Sequence, residues 1–367
     1  MKVLVVDDSA LMRRQLTDIL ATAGMRVETA RNGAEALALV ASFQPDVVTL
    51  DVAMPEMDGL SCLKRIMAES PRPVVMISAL TEAGAETSME ALRLGAVEVV
   101  HKQGVAGVGL RRMADELVRI VQGAAGAKLR RAHGLRERLQ RARASIVGDR
   151  ELPAPAVPQP GEPPEVPPPD SAGPGVVLIG VSTGGPSTLE EIIPHLPADF
   201  PWPLVVAQHM PPTFTATLAR RLNDICALTV VEAAQPTVLE PGMVCIARGG
   251  ADVVLTRRAG RLVVQPVPAD PAWPWHPSVD RLVQSAVQHV EASRLVGVLL
   301  TGMGVDGGAA MAEMHARGGR TIAESEASAV VFGMPADLIR RGAADVVLPA
   351  EQVAGQLIRW LRPVARS

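Results

Sequence analysis

Along the first third of the chain, short β-branched runs alternate with amphipathic stretches of helical period. Val3–Val6, Val27–Thr29, Val47–Leu50, Val74–Ile77 and Val97–Val100 read as strands. Leu11–Thr22, Gly33–Ser42, Gly59–Glu69, Glu86–Leu94 and Arg111–Val121 read as the helices between and after them. Repeated βα units of this length predict a doubly wound parallel sheet. From 128 to 150 the pattern changes to a basic amphipathic segment, in which Leu129, Leu135, Leu139 and Ile146 recur at helical spacing among arginines. Proline then dominates to residue 174, which predicts an extended spacer without a core. Strand-like runs resume at Val176–Ile179, Leu204–Ala207 and Leu295–Thr301. The expected architecture is therefore α/β throughout: two doubly wound parallel-sheet domains, residues 1–122 and 176–367, joined by a helical and proline-rich linker, 123–175.

Composition narrows the class. The chain has 367 residues, 48% of them hydrophobic and 20% charged, which suits two soluble domains with ample cores. Aromatic residues are 2% and tyrosine is absent, so those cores must be aliphatic. A net charge of −3 argues against electrostatic binding of nucleic acid. No run approaches membrane-spanning length, so direct membrane insertion is not expected. The acidic residues of Met1-Lys-Val-Leu-Val-Val-Asp-Asp come too early for a signal peptide. Cys62, Cys226 and Cys245 are few and widely spaced, which fits buried thiols in a cytoplasmic protein.

In a doubly wound sheet, ligands bind beyond the carboxyl ends of the strands. In the first domain those ends carry Asp7, Asp8, Asp51, Ser78 and Lys102. Three converging carboxylates repel one another, and a hard divalent cation such as Mg²⁺ relieves that repulsion. The same ion would neutralise an incoming phosphoryl group, whose oxygens Lys102 and Ser78 could bind.

In the second domain, Gly180-Val-Ser182-Thr-Gly184 is a G-x-S-x-G between a strand and a helix, the context of a nucleophile elbow. A serine that merely caps the helix is the structural alternative. His209 follows the second strand and Asp306 the third, so Ser182, His209 and Asp306 would share one sheet edge. Together they supply a nucleophile, a general base and an orienting carboxylate. His276 is the rival base and Asp280 the rival acid. Asp306 could instead cap the following helix.

Val-Val-Asp7-Asp8-Ser, Leu50-Asp51-Val-Ala-Met-Pro55 and the Ser78/Lys102 pair resemble a response-regulator receiver domain. The resemblance implies that Asp51 accepts phosphate from a histidine kinase of a chemosensory pathway. It also implies that Asp7, Asp8, Asp51 and the Ala53 carbonyl hold Mg²⁺. Gln103 stands where the family has proline after its lysine, and Val99 where it favours an aromatic switch residue. The second-domain motifs, with Pro277-Ser-Val-Asp280 and Val331-Phe-Gly-Met-Pro335, resemble the catalytic domain of the CheB protein-glutamate methylesterases. That implies Ser182 as nucleophile, His209 as base and Asp306 as its acid, with Thr183 and the Met303 N–H shaping the site and oxyanion pocket. It implies no cofactor in the esterase domain. The substrates implied are methyl-esterified glutamates of chemoreceptors, with deamidation of receptor glutamines as a second activity. Arg248 and Asp252 take places where the family has proline and histidine, and are expected to bring two charges to the mouth of the site. The alternative is a phosphorylation-controlled binding module with an inactive esterase domain.

Overall fold

The computed structural model describes residues 1–79, 81–102, 108–127 and 175–361; the basic segment, the proline-rich spacer and Gln103 lie outside them. The first sheet has the order β2-β1-β3-β4-β5, with all neighbours parallel. Its strands are β1 (Lys2–Val6), β2 (Arg26–Ala30), β3 (Val47–Asp51), β4 (Val74–Ala79) and β5 (Glu98–Lys102). The last strand starts one residue later than its apolar run suggests. Val97 makes only an entry bond, its N–H donating to the Val74 carbonyl at 2.8 Å. The helix Glu82–Arg93 begins a turn earlier than expected from Glu86. Thr81 caps it by accepting the Gly84 N–H at 3.0 Å, and small residues conceal the period of its first turn.

The second sheet has seven strands in the order β15-β14-β13-β6-β7-β10-β8, again parallel. At its centre β6 (Val176–Val181) lies between β13 (Leu295–Leu299) and β7 (Leu204–Gln208). The connection that leaves β6 runs toward β7 and the one that leaves β13 runs the opposite way, so the switch point lies between the carboxyl ends of β6 and β13. On one side stand β14 (Arg320–Glu324) and β15 (Val346–Leu348); on the other stand β10 (Met243–Ala247) and β8 (Thr229–Ala233). Both faces of the three central strands are covered, and every residue from Val176 to Val181 is buried. This explains why their sequence reads as continuous apolar runs.

A small antiparallel sheet was not anticipated. It comprises β9 (Thr237–Val238), β11 (Asp252–Arg258) and β12 (Arg261–Val267). The hairpin turns at Ala259 and Gly260, both left-handed, with φ of 47° and 78°. Two consecutive positive φ values match the twist of the flanking strands. Among the described residues, no helix is long and apolar enough to cross a membrane.

The two α/β units pack directly on one another. The Glu82–Arg93 helix lies against the Pro212–Ile225 and Gly185–Ile192 helices, and one apolar cluster runs through Met89 and Leu92 into Leu189, Phe214 and Leu218. The Ser187 hydroxyl donates to the Leu92 carbonyl at 3.3 Å. Phe214 is 1% exposed, and its ring lies 4.3 Å from that of His101 on β5. Removing this ring as Phe214→Ala should cost about 3–5 kcal/mol, the usual penalty for emptying a core aromatic site. The measurement is the urea midpoint of the full chain; a shift worth less than about 1 kcal/mol would contradict the packing described.

Candidate functional site

The strand-to-helix turn after β6 is held from beneath by Thr301. The Ser182 N–H donates to the Thr301 carbonyl at 2.9 Å, and the Thr301 hydroxyl donates to the Thr183 carbonyl at 2.8 Å. Thr301 is held in turn by a bond from its N–H to Glu324, at 2.7 Å. The turn closes through Gly184, at φ 80°, which caps the Gly185–Ile192 helix without a side chain. Gly302 lets the β13 loop approach the serine: a Cβ there would stand 2.7 Å from the Ser182 Cβ and 2.4 Å from the Met334 sulfur. Ser182 is not the cap of the helix that follows it.

Val181 and Gln208 are paired in register across β6 and β7, so Ser182 and His209 occupy the next position on each strand. The His209 N–H donates to the Val181 carbonyl at 3.0 Å. The buried Gln208 amide ties the two residues together, donating to the Ser182 carbonyl at 3.0 Å and to the His209 carbonyl at 3.1 Å. Nothing in the sequence distinguished this glutamine from an ordinary strand-end residue.

His209 Nε2 and Asp306 Oδ2 are 2.8 Å apart, with side-chain exposures of 6% and 4%. A carboxylate can only accept, so Nε2 carries the proton and Nδ1 holds the lone pair. That Nδ1 is buried and has no hydrogen-bond partner. Asp306 also accepts the Val279 N–H at 2.7 Å, the Asp280 N–H at 3.0 Å and the Ser278 hydroxyl at 3.1 Å. Burial pushes its carboxyl up, but the His209 bond and charge and the N–H donors outweigh this and hold it below the usual range.

The rivals are otherwise engaged. Asp280 accepts the Ala310 N–H at 2.9 Å, and burial, with Asp306 nearby, pushes it up to about 6. The helix after Asp306 has Gly307 at its cap, so Asp306 does not cap it. His276 donates from Nδ1 to Asp252 at 3.1 Å. This corrects the expectation of two charges at the mouth. Asp252 is 1% exposed and lies beneath the site, where it takes Arg281 at 2.6 Å and the N–H groups of Ser278 and Asp270 at 3.0 and 3.2 Å. Arg248 alone of the pair is exposed, lining a shallow pocket of about 320 Å³ with Pro212 and Pro266–Pro268.

The first domain covers this edge. The Met303 side chain packs into the core of the first unit, and a Cβ on Gly123 would overlap its sulfur. Val330 joins the same cluster. Arg119 lies 4.6 Å over the Trp275 ring, and Trp275 is stacked on His209. From β5, Glu98 reaches the Thr183 hydroxyl. Ser182 is 5% exposed and Thr183 1%.

At the carboxyl edge of the first sheet, Asp7, Asp8 and Asp51 each offer an oxygen, all within 4.8 Å of one another. Lys102 Nζ stands 3.0 Å from Asp7 and 2.8 Å from Asp51. Burial pushes the Asp51 carboxyl up; Lys102 opposes this without cancelling it, and Asp7 adds to it. Burial would lower Lys102, but its two carboxylate partners outweigh this and raise it. Ala53 directs its N–H at Asp51. Ser78 is buried at the end of β4 and bonds the Gly84 carbonyl at 3.4 Å.

Residues 177–357 match the family model described as CheB methylesterase, and residues 3–109 match the response regulator receiver domain. A Rhodospirillum rubrum protein named protein-glutamate methylesterase/protein-glutamine glutaminase 3 is 56% identical over 362 residues, covering 98% of this chain and 96% of that one. An Archaeoglobus fulgidus protein named protein-glutamate methylesterase/protein-glutamine glutaminase is 45% identical, with 98% of each chain covered. The crystal structure of the Thermotoga maritima CheB methylesterase catalytic domain superposes with a TM-score of 0.50 at 41% identity. It covers 51% of this chain and 99% of that one.

Burial of Glu98 in the interface, against its Thr183 and Val99 partners and with Glu116 adding to it, pushes its carboxyl from 4.5 up to about 7. The folded protein therefore keeps a proton that the unfolded chain releases. The stabilisation is complete below pH 4.5 and is lost as pH rises through 7. His101, which burial pushes from 6.5 down to about 4, has the opposite sign, so the isolating variant is Glu98→Gln. The melting temperature of Glu98→Gln minus that of wild type should climb between pH 4.5 and 7 and then level off. A flat difference would show that Glu98 ionises freely.

Proposed function

Since the chain belongs to the CheB protein-glutamate methylesterases, with a receiver domain ahead of the catalytic one, we propose that it hydrolyses γ-glutamyl methyl esters of chemoreceptors to glutamate and methanol, under phosphorylation control. The same site would deamidate receptor glutamines. The observation that carries the chemistry is the buried His209–Asp306 pair on the strand end beside Ser182, with Nδ1 uncommitted.

Ser182 attacks the ester carbonyl while His209 Nδ1 takes its proton. The imidazolium formed is held through Nε2 by Asp306. The oxyanion falls toward the Met303 N–H and the turn at Thr183, where fixed donors stabilise charge that develops only in the transition state. His209 returns the proton to the methoxide leaving group, and the γ-glutamyl ester on Ser182 is released by water through the same two transfers. With an amide substrate the group expelled is ammonia.

In the receiver, the oxygens of Asp7, Asp8 and Asp51 fit a hard divalent cation, and the Ala53 carbonyl is assigned as a further ligand. Mg²⁺ would neutralise the phosphoryl group arriving at Asp51. Lys102, now shared between Asp7 and Asp51, and Ser78 would take phosphoryl oxygens. The donor is a histidine kinase of a chemosensory pathway and the setting is the cytoplasm. The docked receiver closes the catalytic edge, so phosphorylation acts by weakening that docking. A tethered partner holds such a position with little intrinsic affinity.

The test is methanol release from methylated receptor membranes. Ser182→Ala should abolish it, and Asp306→Asn should lower kcat by roughly 10⁴-fold through loss of the correct imidazole tautomer. Turnover surviving in Ser182→Ala would refute the nucleophile. Truncation to residues 176–367 should release the unphosphorylated rate; no increase would count against control by occlusion.

A further inference from the structure

Asp306 fixes one atom of the His209 ring but not the plane of that ring. The Trp275 indole is stacked on the imidazole, with centroids 4.7 Å apart and planes within 4°. This indole is not on a free loop. Asp252 ties down the residues on both sides of it, through the Asp270 N–H at 3.2 Å before it and through His276 and Ser278 at 3.1 and 3.0 Å after it. Ser278 then bonds Asp306 at 3.1 Å, so one segment holds both the acid and the ring on its imidazole. Gly304, at φ 84° on the loop that carries Asp306, turns that loop past the indole.

We infer that Trp275 is a positioning residue for His209, holding the imidazole plane through both proton transfers, and that Arg119 of the receiver grips the same indole when the domains are docked. The inference rests on His209 being the base of the reaction proposed above. A flat π face also favours the positive charge that the imidazole gains in the transition state. The Arg119 guanidinium, 4.6 Å from the indole, draws on the same electrons. Docking therefore reaches the base through Trp275 as well as by covering the serine.

The experiment uses the full chain on methylated receptor membranes, with Mg²⁺ and a small acyl phosphate as phosphodonor, and Ser182→Ala as zero. Trp275→Leu should lower kcat roughly three- to thirty-fold, the range of one cation–π contact, with KM within about two-fold of wild type. Trp275→Phe keeps a flat ring and should recover most of the loss. Equal losses in the Leu and Phe variants, or wild-type kcat in both, would overturn the inference while Ser182→Ala at zero leaves the esterase reading intact. Turnover by Ser182→Ala would instead remove the reading beneath it. Without phosphodonor, Arg119→Gln should raise turnover in the wild-type background and much less in Trp275→Leu. An equal rise in both backgrounds would break the link between Arg119 and Trp275.

Discussion

A single buried carboxylate organises the catalytic edge. Asp306 receives four donors: the His209 ring, two backbone N–H groups at the start of the Val279–His289 helix, and the Ser278 hydroxyl. A buried negative charge is costly unless it is fully solvated by the protein. These donors meet that cost, and in doing so draw together β7, the β13 loop and a helix N-terminus, where the dipole also favours an anion. The imidazole orientation follows from the same bond. Once Nε2 donates to Asp306, the remaining nitrogen is a base by elimination.

Beneath it, Asp252 repeats the logic without chemistry. It collects an imidazole, a guanidinium and two N–H groups, and thereby fixes the segment from Asp270 to Arg281. Two buried acids in successive layers explain how a loop rich in proline and tryptophan can present Trp275 to His209 at a defined angle. Asp280 shows what happens to a third acid placed nearby: burial and the Asp306 charge push it up, so it is the one that gives way.

The parallel sheets were legible because their central strands are buried on both faces, and the shared edge of Ser182, His209 and Asp306 followed from the three apolar runs that precede them. What escaped was the structure made by pairing at a distance. The hairpin β11–β12 carries half-exposed, arginine-containing strands whose only local signal is Ala259-Gly260. Asp252 looked like an exposed charge because its partners, Asp270 to Arg281, follow it across that hairpin. Trp275 drew no assignment from the sequence, although a tryptophan in a chain with 2% aromatic residues was a signal. Val99 looked like a missing switch residue. The ring facing the second domain is two positions on, at His101, on the same face of β5 as Val99, against Phe214.

That placement bears on how the two sites communicate. Alternate residues of a strand face opposite sides, so Lys102 reaches the acid cluster while its neighbour His101 packs on the helix that follows His209. Adjacent residues of one strand thus face the acid cluster and the docking surface. That surface is largely apolar, and burial in it pushes the Glu98 carboxyl up and the His101 imidazole down, each toward its neutral form. A change in one lysine's partners then needs to shift the docked population by only a factor of ten to a hundred, about 1.4–2.8 kcal/mol, to change the exposure of the serine decisively. In the control proposed above, tethering would supply the concentration at which the receiver docks.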